Sequence, residues 1–525
     1  MLSDAPHRLV EALEERIRAV ETDFHRAYWD AQVSATPETE RVRAELELEL
    51  RRIKGDADAL KAVEASLDGE LHEPLLRRQL EVLRLSLLGN QMDEARREEL
   101  VSLASSVEAD FAAYRPRVDG RRASDNEIES ILTSSDDDDE RRTAWLASKE
   151  IGGVVASRVR ELARVRNSMA VDLGFADYYN MALELQELSE AWLFEVLDGL
   201  EELTDEPFRR FKSTLDERLK ARFSVSEPMP WHYADPFFQK LPPDGRVSLD
   251  PLLVDASAAD LTARTFAGWA IDLSEMLAAS DLYPREGKSQ HAFCIDIDRT
   301  GKDVRILANI VAGERWVEVM LHECGHAAYD LRIDRHLPYL LHRPAHTFIT
   351  EAIALMAGRL IRDPQWLTGV AGVSQGEADV LESQLRHARG TQSLLFARWG
   401  LVVCHFERAL YRDPEGDLDS MWWELAERFQ LLRPPDRSAP DWAAKIHVAA
   451  APAYYHNYLL GELLASQIEQ TCRRECGGLV GNAEAGRLLA ERVFQRGASV
   501  RWDELIEGAT GRPLGIEDFA AAVTQ

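Results

Sequence analysis

Leucines recur at three- and four-residue intervals through RVRAELELELRRIK (41–54) and EPLLRRQLEVLRLSLLGNQ (73–91), with charges on the positions between. That is the period of a half-buried helix, and it persists over the first ~220 residues with few β-branched runs and little proline. Helix starts are marked. Ser124 followed by Glu127 fits a capping box. In SSDDDDERRTAWLASKE, Ser134 or Ser135 reads as the cap, with the aspartates placed where a helix N-terminus favours negative charge. No glycine or glutamate follows at calcium-loop spacing.

The pattern breaks near 225. SEPMPWHYADPFFQKLPPDGRVSLDP (226–251) is rich in proline and aromatics, lacks a helical period, and reads as a loop or linker. HAFCIDIDRTGKDVRILANI (291–310) alternates well enough for a hairpin turning at Thr300-Gly301-Lys302. Helices resume from 313. The class is therefore mainly α, with a helical N-terminal lobe over 1–225 and a region over 226–525 that carries the chemistry.

Composition narrows the partners. With 62 Lys and Arg against 91 Asp and Glu, the formal charge is −29, which disfavours nucleic acid and anionic membranes, since both need clustered cations. Charges interrupt every apolar run in MLSDAPHRLVEALEERIRAVETDF, so no signal peptide is expected. No stretch has the length and apolarity of a membrane span. The five cysteines are an odd, sparse set that suits a reducing, cytoplasmic setting. Cys472 and Cys476, one helical turn apart with no second ligand pair nearby, read as packing residues.

The chemistry concentrates in V319-M-L-H-E-C-G-H-A-A-Y-D330. On a helix His322 and His326 stack on one face, where both imidazoles reach one zinc ion. Glu323 stands at the edge of that face, placed to take a proton from an attacking water. Cys324 lies roughly 200° around from His322 and points away. Two histidines and a carboxylate in so apolar a helix need a partner, and a metal supplies one. A catalytic zinc takes a third protein ligand. Tyr329 and Arg332 stand where the longer H-E-x-x-H-x-x-G-x-x-H pattern needs Gly and His, so the ligand comes from another element. Glu351, the single charge between Phe348 and Gly358, is the expected one, with Asp330 and His346 as rivals. Asp330 is preferred as an acceptor that orients an imidazole.

Towards the C-terminus stands K445-I-H-V-A-A-A-P-A-Y-Y-H-N-Y458. If a helix begins after Pro452, Tyr455 and Tyr458 share a face. Tyr458 could then donate to an oxyanion, His447 could bond a substrate backbone, and Lys445 could meet a C-terminal carboxylate. The same stripe would equally serve as a packed face with its hydroxyls satisfied, and His291 carries the same ambiguity.

H-E-C-G-H followed by T350-E-A-I-A resembles the gluzincin peptidases related to angiotensin-converting enzyme, thimet oligopeptidase and oligopeptidase F. H291-A-F-C, K445-I-H447 and the tyrosine pair fit elements of that group, as does the segment ARVRNSMAVDLGFADYYNMAL (163–183). Several of these motifs are also similar to the carboxypeptidase Taq family. The resemblance implies a two-lobed helical peptidase with a deep central cleft, a small sheet beside the zinc helix, and one zinc per chain. It implies Glu323 as base, Tyr458 as oxyanion donor, and His447, Lys445, Tyr455 and His291 as substrate contacts. Short peptides are the implied substrates. C-terminal dipeptide release is the first expectation, with endo-acting or single-residue cleavage as the alternative and a zinc-containing binding protein as the non-enzymatic one. Leu355 replaces the aspartate that follows the ligand in the converting-enzyme pattern. Between Tyr455 and Tyr458 stand His456 and Asn457 and not the chloride-binding arginine of that family, so chloride activation through that residue is not expected.

Overall fold

A computed structural model of the protein describes residues 5–242 and 247–523. Residues 243–246 of the proline- and aromatic-rich stretch, and the first four residues of the N-terminal segment, lie outside them. Among the described residues 69% are helical, in 22 helices, with two small two-stranded sheets, so the mainly-α expectation holds. None of these helices is long and apolar enough to cross a membrane. The chain forms two compact units. Unit 1 draws on residues 1–91, 248–386 and 460–518; unit 2 on 92–247, 387–459 and 519–525.

Local chemistry accounts for the helix ends. Helix Pro37–Lys54 has Thr36 as cap, proline at its first position, Glu38 and Glu40 in the first turn and Arg51, Arg52 and Lys54 in the last. Ser124 and Glu127 form the expected box, each bonding the other's backbone N–H at 3.2 and 2.7 Å. The long helix Asp138–Asp172 is capped by Asp137, which accepts from the Glu140 N–H at 3.0 Å, and not by Ser134 or Ser135. A carboxylate caps as well as a hydroxyl and adds charge at the positive end, so the helix starts inside the acidic run.

In unit 2 that helix packs Ala144 and Trp145 against Val118, Leu132 and Trp231. The described part of the stretch predicted as a linker is mostly irregular, and much of it over 228–242 is buried. Trp231, Tyr233 and Phe238 are all under a tenth exposed. Fully buried Arg141 donates to the carbonyls of Trp231 and His232, at 2.9 and 3.0 Å, satisfying backbone that no ladder serves.

In unit 1 strands Phe293–Asp296 and Val304–Leu307 pair antiparallel. Their turn is the predicted one, with Arg299 and Gly301 at positive φ and the Gly301 N–H bound to Asp296 Oδ2 at 2.8 Å. Ile297 and Leu307 pack on Trp29. Helix Glu314–Arg332, the motif helix, follows, its Glu314 N–H held by Asp250 at 2.8 Å. It buries Val317, Met320, Leu321, Cys324, Ala327 and Ala328. Helix Thr347–Arg359 packs along it so closely that a Cβ on Gly325 would lie 2.6 Å from Ala354 Cα. Glycine is what lets these two backbones meet.

Candidate active site

The two closely packed helices of unit 1 bring three ligand-type side chains together. His322 and His326 rise from one face of the motif helix, rings 5.0 Å apart and nearly perpendicular. Glu351 comes from the neighbouring helix, its Oε2 3.8 Å from His322 Nε2. One ligand atom from each of the three lies within 4.8 Å of the others. Burial lowers the pKa of His322 to about 4, and burial together with His322 lowers that of His326 to about 3, so both imidazoles are neutral, the form that ligates metal. Two neutral imidazoles and a carboxylate fit zinc, and three protein ligands are what a catalytic zinc takes.

Thr350 Oγ1 lies 2.7 Å from His326 Nδ1 and fixes that ring, a part the sequence reading gave to Asp330. Asp330 lies further along the motif helix. Burial, and after it Asp296, push its carboxyl up to about 8, with Arg299 opposing. His346 caps its helix by accepting from the Phe348 N–H at 3.1 Å. Leu355 would touch a Cβ placed on Gly461 at 3.4 Å, so an apolar contact occupies the position one turn past Glu351.

Glu323 is buried beside the histidines. Burial, then the neighbouring Glu351, raise its pKa to about 8, and a hydrogen bond from the backbone N–H of Cys294 opposes the rise. The hairpin thus supplies the donor that holds this carboxylate. Cys324 is fully buried. His291 is exposed, just ahead of strand Phe293–Asp296.

A second group gathers in unit 2. The short helix Ile446–Ala450 carries His447. The chain then turns through Ala453 at φ +51°, and helix His456–Cys476 begins. Tyr455 therefore precedes the helix instead of sharing its face with Tyr458. The left-handed residue delays the helix start, yet the two rings still meet at 5.4 Å, and Tyr455 lies 5.5 Å from His447. Trp399 donates to the Tyr455 hydroxyl at 2.6 Å. Lys445 Nζ donates to Gln239 Oε1 at 3.0 Å and sits 5.2–5.7 Å from the ring centres of Trp399, Phe237 and Tyr455. Burial lowers its pKa to about 8; Asp235 opposes and Lys240 adds. Burial, then Lys445, take His447 down to about 4.

Thr350 and Gln239 escaped sequence reasoning. Thr350 sits next to Glu351 and was legible only as a neighbour. Gln239 lies in the irregular proline-rich stretch, 206 residues from Lys445, with no local signal to join them.

A family model described as Peptidase family M3 matches residues 274–524, and one described as Angiotensin-converting enzyme matches residues 3–208. A search of curated proteins finds no match. Both families are zinc-dependent peptidases, and the His322–His326–Glu351 cluster is compatible with a zinc site. The two matches, which cover successive parts of the chain, and the cluster indicate a metallopeptidase similar to the gluzincin group that includes angiotensin-converting enzyme and thimet oligopeptidase.

Proposed function

We propose that the protein is a cytoplasmic peptidase that releases dipeptides from the C-termini of short peptides. His322, His326 and Glu351 hold the zinc ion. When bound, zinc polarises the scissile carbonyl and makes water a better nucleophile at neutral pH. In its ionised form, which the hydrogen bond from the Cys294 N–H favours, Glu323 takes the proton of the attacking water and passes it to the leaving amine. The Tyr458 hydroxyl donates to the oxyanion as the carbonyl becomes tetrahedral. His447 and His291 bond the substrate backbone.

One observation carries the preference for a free C-terminus. Lys445 is a buried ammonium set among aromatic rings, and the one hydrogen bond of its Nζ among the described residues is to the neutral amide of Gln239, with the Asp235 carboxylate acting on it only through space. A buried cation calls for an anionic partner. A peptide's terminal carboxylate supplies it, with the Gln239 amide and Tyr455 beside it.

Mass spectrometry of products from one peptide, free and C-terminally amidated, tests this. Dipeptide loss from the free form and slow turnover of the amide are expected. Equal cleavage of both forms would refute C-terminal recognition and leave an endo-acting oligopeptidase.

A further inference from the structure

We propose that Gln186, far from the metal ligands in sequence, is the positioning residue that sets the orientation of Tyr458. The inference rests on the reading of Tyr458 as oxyanion donor. Gln186 ends the short helix Tyr178–Leu185. Its Nε2 donates to the carbonyls of Ala182, at 3.0 Å, and Ala453, at 3.2 Å. Its Oε1 accepts from Asn457 Nδ2 at 3.0 Å and faces His456 Nε2 at 3.1 Å. Both donors and both lone pairs of one amide are thereby used, and three of the four bonds go to residues 453–457.

That segment needs holding. Ala453 is a non-glycine residue at φ +51°, a conformation that costs an L-residue about 1–2 kcal/mol and persists only where surroundings impose it. Side chains clamp it on both sides. Buried Glu407 accepts from its N–H at 2.9 Å, and Gln186 donates to its C=O. The turn at Ala453 decides where the next helix starts, and Tyr458 stands in that helix's first turn. His456 and Asn457, the two residues immediately before Tyr458, are each 1% exposed and both bound to the same Gln186 oxygen. The segment entering Tyr458 is thus tied at three points to one side chain, through one backbone carbonyl and two side chains. Between the two tyrosines this chain has no arginine, and the Asn457 amide there is held directly by the Gln186 amide.

Losing Gln186 strands a buried carbonyl, a buried amide and a buried ring nitrogen together. The strained turn then relaxes and the phenol drifts. A displacement near 1 Å at a group acting in the transition state costs on the order of 10²-fold in rate. Substrate binding, which rests on other side chains, changes little.

The test is a double-mutant cycle on the zinc-loaded full chain with Gln186→Ala and Tyr458→Phe. Gln186→Glu is carried alongside as the same-shape variant, and zinc content and thermal melting are checked for each protein. The expected result is a kcat loss of roughly 10²-fold for Gln186→Ala with KM nearly unchanged. The double variant should be no slower than Tyr458→Phe alone, because the two changes act through one group. Gln186→Glu keeps the acceptor but loses the donor to Ala453 while ionised. It should recover turnover relative to wild type as pH falls and its carboxyl regains a proton. Additive losses in the double variant, or a loss confined to KM, would overturn the inference. Should Gln186→Ala not fold, a Gln186→Glu to wild-type kcat ratio that stays flat with pH overturns it instead. Wild-type turnover by Tyr458→Phe would instead refute the oxyanion role on which the inference stands.

Discussion

Gly325, between the two histidines, offers a test of how the metal-ligand geometry is built. Replacing it with alanine places a methyl carbon 2.6 Å from Ala354 Cα, 3.0 Å from Ala354 N and 3.1 Å from Ile353 O. All three are backbone atoms, so no side chain swings aside. Carbon atoms rest ~3.5 Å or more apart, so the helices must separate by ~0.9 Å at that point. Overpacking of this kind costs about 1–3 kcal/mol. The larger effect falls on the metal. His322 and His326 flank the bulge on one helix, and Glu351 sits three residues before Ala354 on the other. Ligand distances tolerate only ~0.2 Å, well below the imposed shift. Zinc affinity should fall by at least the ~10- to 100-fold typical of disturbed ligand support. Gly358→Ala is the control. It lies on the same packed face, but its new carbon would meet Glu318 O at 3.6 Å and His322 Cβ at 3.7 Å, both ordinary contacts. It should leave affinity intact and gain up to ~1 kcal/mol of helix stability. Competition with a chromophoric chelator measures the affinity, and calorimetric melting of the metal-free protein measures the packing. A Gly325→Ala protein with wild-type zinc affinity would refute the claim that this glycine sets the ligand spacing.

Glu323→Gln should retain one zinc per chain by elemental analysis yet lose ~10³-fold or more in kcat, through loss of the base. Near-normal turnover would remove Glu323 from the mechanism. Lys445→Met should raise KM for a free peptide roughly 10- to 100-fold and leave the amidated peptide unaffected; an equal effect on both would deny Lys445 the carboxylate. Buried Glu21 bonds Lys54, Tyr339 and Arg299 at 3.0–3.1 Å. Burial raises its pKa, but Arg299 and Lys54 outweigh that and bring it down to about 2. Its ionised form therefore contributes on the order of 3 kcal/mol above the usual carboxylate range, lost as pH falls towards 2. The urea-stability gap between wild type and Glu21→Gln should narrow from pH 5 to pH 3, and a constant gap would contradict the linkage. Exchanging chloride for acetate at fixed ionic strength should leave kcat/KM unchanged, because Gln186 and not an ion holds Asn457.

What the sequence made legible was whatever depends on short spacing. His322 and His326 are one turn apart, and that alone puts them on one face. Glu351 stood out because it was the lone charge in an apolar period. The hairpin turn at Thr300-Gly301-Lys302 was legible because glycine supplies the positive φ it needs. The missed parts depend on contacts between distant segments. Thr350 orients His326 only because two helices pack at a particular rotation. Gln239 meets Lys445 across 206 residues. Tyr455 was read as the start of a helix face because Pro452 precedes it. Nothing local announces that Ala453, an ordinary helix former, is held in a left-handed turn by Glu407 and Gln186. The cap of Asp138–Asp172 shifted because several neighbouring residues were competent, and the Asp137 carboxylate caps while adding negative charge at the positive helix end.

The discontinuity of unit 1 bears on how the enzyme comes into being. Its proposed metal ligands lie between residues 322 and 351, but Glu462, the ion-pair partner of Arg359 at the end of the Glu351 helix, belongs to the segment 460–518. During synthesis, a nascent chain that has already displayed H-E-C-G-H still lacks the strand of sequence that completes this unit. Proteolytic competence therefore waits until the segment 460–518 has left the ribosome, and fragments cut off ahead of residue 460 carry the motif without the complete unit around it.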